Sequence, residues 1–75
     1  MEYGQITPKG VAASATMLAE RGYLDEHTRS RILWFYRSGI GWENREFRRL
    51  WRKVQDGARQ MLVVMNNAEA SWPTK

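Results

Sequence analysis

Cysteine is missing from this chain, and histidine occurs once, at His27. The first absence excludes a disulfide framework, a thiol nucleophile and a Cys-ligated zinc. The second excludes a metal site built from several His ligands. The longest apolar runs, Ile32–Tyr36 and Met61–Met65, have five residues each. A membrane-spanning helix needs roughly 20. The opening Met1-Glu2-Tyr3-Gly4 lacks the basic and apolar regions of a signal peptide. A soluble, cytoplasmic protein is the expectation. Gly-rich phosphate loops, zinc motifs and nucleophile elbows are also missing, and no cofactor is implied.

What is present is a small globular composition. Hydrophobic residues make up 43% and charged residues 27%, too apolar for a disordered tail. A length of 75 residues allows one domain around one core. The net charge is +4, and it is unevenly spread. Nine basic residues lie between Arg29 and Arg59, against the three acids Glu43, Glu46 and Asp56. The remainder of the chain is slightly acidic. Most of the cations are Arg, whose planar fork suits phosphate and carboxylate.

The local signals predict three helices. Residues 1–6 read as an N-terminal arm. Thr7 followed by Pro8 is a helix start, with Ile6 and Val11 at the positions of a hydrophobic staple. Val11, Ala12, Ala15, Leu18 and Ala19 then recur at helical spacing as far as Gly22, giving a helix over 8–21. Asp25 caps a second helix over 25–38, with Gly39 as its stop. Its centre, Ile32-Leu33-Trp34-Phe35-Tyr36, also has strand propensity, but no second strand exists for it to pair with. Five successive apolar residues must be buried on several sides or present a binding face. Ser38-Gly39-Ile40-Gly41-Trp42 is a corner, with Ile40 and Trp42 tucked onto the core.

The third helix, over 43–69, has the clearest pattern. Phe47, Trp51, Val54, Ala58, Met61, Met65 and Ala68 alternate in steps of four and three, with Leu50 and Leu62 beside them. This stripe falls within roughly 60° of Phe47, while the basic residues fall about 100° to 240° away. Asp56-Gly57 interrupts with a turn-favouring dipeptide, yet the heptad keeps its phase across it. A continuous helix, bent or straight at Gly57, follows. Residues 70–75 form a non-helical tail that carries Trp72.

The fold class is therefore all-α: a small three-helix bundle, or a helical hairpin with a shorter lid, ending in a long amphipathic helix. A homodimer through the third helix, or through the Trp34 side of the second, is as well supported as a monomer.

Catalysis has little support. Glu43 and Glu46 lie together at a helix start, where dipole complementarity accounts for them. His27 sits in a solvated first turn. Nucleic acid is the better ligand. Arg45, Arg48, Arg49, Arg52, Lys53 and Arg59 project from one side of a helix whose diameter fits the major groove of DNA. The second helix, the corner and the third helix resemble a helix-turn-helix in layout, with no family motif behind the likeness. Asn44 serves equally as a polar contact or an N-cap. The competing reading is a small inhibitor or adaptor, of the kind phages make. It would dock on a larger protein through Trp34, Trp42 and Trp72 with Arg residues. A basic amphipathic helix lying on a membrane surface is a third reading. The dry face is better used inside a bundle, and no membrane partner is expected.

Overall fold

The computed structural model describes residues 6–71, with side chains as far as Asn67. Three helices follow one another: α1 (Pro8–Glu20), α2 (Glu26–Arg37) and α3 (Arg45–Ser71). No described residue is in a strand. Each helix packs on the other two, forming a small all-α bundle. The helix ends differ from those expected by one or two residues. The run Ile32–Tyr36 lies inside α2, so its strand propensity yields to helical flanks.

Capping chemistry starts each helix. Thr7 Oγ1 accepts from the Gly10 N–H at 3.1 Å, with Pro8 at the first helical position. Asp25 accepts from the Thr28 N–H at 2.9 Å and from the Thr28 hydroxyl at 2.7 Å. Asn44 Oδ1 accepts from the Phe47 N–H at 3.1 Å. Asn44 is thus the cap of α3. Helices α1 and α2 stop in the same way. Gly22 and Gly39 have φ of 84° and 76°, the left-handed conformation that glycine adopts without a Cβ clash. The next N–H in each case, of Tyr23 or Ile40, returns to the carbonyl of Leu18 or Phe35.

The core is Val11, Ala12, Ala15 and Leu18 of α1, Ile32 and Phe35 of α2, and Phe47, Leu50 and Val54 of α3. Ile6, Tyr23, Leu24, Ile40, Trp42 and Trp51 close its margins. The two alanines let neighbouring helices approach α1 closely. Thr28 is the one buried polar residue among those described. Its bond to Asp25 satisfies its hydroxyl, as burial requires.

The Thr28–Asp25 pair has a pH consequence. The Thr28 hydroxyl first, and its N–H second, hold the Asp25 carboxyl below its ordinary value of 3.8. A folded-state pKa that is lowered contributes stability that is complete above the unfolded value. That stability disappears as pH falls through the folded value. Stability should therefore begin to fall below about pH 4. Asp25→Asn, which keeps an accepting oxygen but no titrating charge, should show a shallower acid limb. Helicity by circular dichroism, followed in denaturant from about pH 6 to about pH 2, checks this. Identical acid limbs for the two proteins would contradict it.

Helix α3 runs unbroken through Asp56-Gly57. Gly57 is buried because the α1–α2 turn crosses α3 there. A Cβ built on it would lie 2.5 Å from the Tyr23 carbonyl oxygen and 3.5 Å from Leu18 Cδ1. The glycine is a place of close approach, not a turn.

Only the first half of α3 is covered. Phe47, Leu50 and Val54 are buried, and Trp51, Ala58 and Met61 are half-buried. Leu62 and Met65, expected on the dry stripe, are exposed. The 13-residue α1 and 12-residue α2 are too short to reach them along the 27 residues of α3. The molecule measures 50 × 26 × 16 Å, with the end of α3 projecting.

Candidate nucleic-acid interface

The six cations expected at the interface all belong to α3, and all are exposed. The structure divides them. Arg45, Arg49 and Arg52 stand at i, i+4 and i+7, one stripe along the helix. No hydrogen bond or ion pair involves these three among the described residues. The stripe continues through Asp56, Arg59 and Val63, so its charge weakens beyond Arg52. Arg59 stands 3.7 Å from Asp56. Both side chains are largely exposed, and such a pair contributes little to stability.

Arg48 and Lys53 are exposed on α3 as well, beside groups from other segments. The Arg48 guanidinium donates to the Trp42 carbonyl and so braces the corner before α3. Lys53 lines a cleft of about 480 Å³ with Asp25 and Asp56, below the α1–α2 turn. Its charge adds a small part to the lowering of Asp25. On the wheel Lys53 lies about 40° from Arg49 and about 100° from Arg52, at the edge of the basic face.

The carboxylates at the start of α3 are held by different partners. Glu43 accepts from the Gly41 N–H at 3.2 Å. Its own N–H first, and that of Gly41 second, hold its carboxyl below the ordinary value of 4.5. Glu46 accepts from Arg31 at 3.1 Å.

Arg31 was invisible to a local reading. It links α2 to α3 across 15 residues and lies over two rings. Its Cζ is 5.1 Å from the Trp34 centroid and 4.9 Å from that of Phe35, within cation–π range. Only the excess of Arg over Lys hinted at such a role.

The tryptophans also divide. Trp42 donates its indole N–H to the Ile6 carbonyl at 2.9 Å. Its ring meets Phe47 edge-on at 5.1 Å and Trp51 at 5.9 Å. Trp42 is therefore part of the core margin. Trp34 is 51% exposed beside Arg31, and Tyr36, 39% exposed, lies about 200° further round α2. Trp72 lies outside the described residues.

No described helix is long and apolar enough to cross a membrane. In comparisons with known protein families, characterised proteins and solved structures, nothing matches this chain.

Proposed function

We propose that this protein is a non-enzymatic regulator that binds nucleic acid through the Arg-bearing side of α3. The observation that supports this most is the stripe Arg45–Arg49–Arg52. It is exposed, has no carboxylate partner among the described residues, and lies opposite a side buried in the core. Such a stripe suits the phosphate backbone, which supplies most of the affinity in nucleic-acid binding. DNA is favoured over RNA. A helix of about 10–12 Å fits the B-form major groove, whereas the A-form major groove is too narrow for side chains to read.

Charge reversal tests the reading. Arg49→Glu with Arg52→Glu should weaken binding to a short duplex at least about 100-fold and leave helicity unchanged, because both residues are exposed. For three phosphate contacts, the wild-type log K against log salt should slope near −2.7, that is about −0.9 per contact. Salt-independent binding, or full binding by the double variant, would refute the proposal.

One observation favours a second reading, a small inhibitor or adaptor that docks on a larger protein. Trp34 and Tyr36 are exposed on α2, and Arg31 stacks beside Trp34. Interfaces are enriched in these residue types. Trp34→Ala would then abolish capture of the partner protein, with little dependence on salt.

A further inference from the structure

Among the tryptophans whose side chains are described, Trp34 is the exposed one. Its neighbours one helical turn away are Ser30, Arg31, Arg37 and Ser38, at i−4, i−3, i+3 and i+4. None of the four is apolar and two are cationic. A protein-docking anchor is ordinarily ringed by further packed contacts. Tyr36, the other exposed ring of α2, is about 200° away and adds nothing to this side.

The indole is held in place. The Arg31 guanidinium stands over it at 5.1 Å, and the Phe35 ring meets it at 5.2 Å with 75° between the planes. Arg31 is itself fixed by Glu46, which accepts from its Nη2 at 3.1 Å and its Nε at 3.3 Å. Arg31 thus occupies one face of the indole, and the exposed half of the residue leaves the other face for a ligand. The same contacts set the ring beside the basic stripe. Glu46 precedes Arg49 by one turn of α3 and lies about 60° from it on the wheel. Trp34, Arg31, Glu46 and Arg49 therefore follow one another across the seam between α2 and α3. Arg31 also neutralises Glu46, a carboxylate that would otherwise repel a phosphate held by Arg45 and Arg49.

We propose that Trp34 is a stacking platform for an unpaired base, on a nucleic acid whose phosphates are held by Arg45, Arg49 and Arg52. This deepens the nucleic-acid reading and rests on it. A flat ring among guanidinium groups matches the two parts of a nucleotide, with the base on the indole and the phosphate on Arg. Inside a duplex both faces of a base are covered by its neighbours, so the indole selects a base outside the stack. The target is then a duplex that carries an unpaired tract, with α3 on the paired part and α2 on the tract.

Titration of the full chain against two DNAs tests this: a fully paired duplex of about 20 base pairs, and the same duplex with a bulge of about six thymines. The ends are identical, so their contribution cancels. The wild type should bind the bulged DNA at least about 5-fold more tightly, the lower end of what one base stack contributes. Trp34→Ala should lose that advantage, bind the paired duplex as the wild type does, and keep its helicity. Trp34→Phe, which restores a ring, should keep most of the advantage. Bulged DNA should quench the indole emission of the wild type more than that of Trp34→Phe, a difference that a purely structural ring would not give. Arg49→Glu with Arg52→Glu should lose both DNAs. Equal wild-type affinity for the two DNAs, or an equal loss of both with Trp34→Ala, overturns the stacking and leaves the phosphate stripe standing. A Trp34→Ala protein that keeps the full preference for the bulge but no longer captures a protein partner overturns it too, and gives the ring to that partner. A wild type that binds neither DNA overturns the nucleic-acid reading as well.

Discussion

Replacing Phe47 with alanine is expected to leave most of the chain unfolded at room temperature. Phe47 is fully buried, and it is the largest of the side chains with almost no exposed surface. Its ring meets Phe35 edge-on at 6.1 Å and Trp42 at 5.1 Å, so it joins α2, the corner and α3. Truncating a buried Phe costs about 3–5 kcal/mol, counting lost transfer and the cavity left behind. A core of this size rarely supplies more than about 3–5 kcal/mol in total. The two quantities are comparable, so one ring decides whether the bundle exists. Thermal melts by circular dichroism check this. A melting temperature within about 5 °C of wild type would mean that Phe47 is not where the structure puts it, since about 1 kcal/mol already moves a small domain by 4–8 °C.

The second large effect has a sign opposite to the one helix propensity gives. Gly57 is in the interior of α3, where Gly→Ala ordinarily stabilises by about 1 kcal/mol. At this position the new Cβ would lie 2.5 Å from the Tyr23 carbonyl oxygen. That oxygen is backbone and cannot rotate away. The α1–α2 turn must lift from α3, carrying Leu18 and Tyr23 out of their packing. Overpacking of this kind costs about 1–3 kcal/mol, so Gly57→Ala should be net destabilising, and Gly57→Val more so. Gly10→Ala is the contrast. Gly10 is an exposed residue in the first turn of α1, with Thr7 Oγ1 at an ordinary 3.5 Å from the added Cβ. It should stabilise by a few tenths to about 1 kcal/mol. Chemical denaturation of the three variants measures both signs. A stabilised Gly57→Ala would show that the turn does not pass so close.

These two positions show what a linear reading can and cannot reach. Phe47 was legible as the head of the α3 stripe, because helical periodicity places its neighbours within a few residues. Gly57 was legible only as a flaw, because Tyr23, the residue that requires it, is far away in the chain. The basic face shows the same division. The i, i+4, i+7 spacing of Arg45, Arg49 and Arg52 can be read directly from the sequence. Arg48 and Lys53 lie near them on the wheel, but the corner carbonyl that Arg48 meets and the Asp25 that shares a cleft with Lys53 come from other segments. Arg31 paired with Glu46 is the extreme case, since its function as a link between helices appears only once both helices are placed.

Local chemistry in the sequence determined that the chain is helical, where the first two helices begin, and which side of α3 is oily. Caps at Thr7, Asp25 and Asn44, stops at Gly22 and Gly39, and a periodic stripe all act within one or two turns of helix, over distances that residue spacing encodes. The tertiary structure alone decided how far along α3 the bundle reaches, which guanidinium groups stay free, and that four apolar residues are left in water. Those outcomes depend on the relative lengths and crossing points of three helices. They are long-range properties, and no window of neighbouring residues contains them.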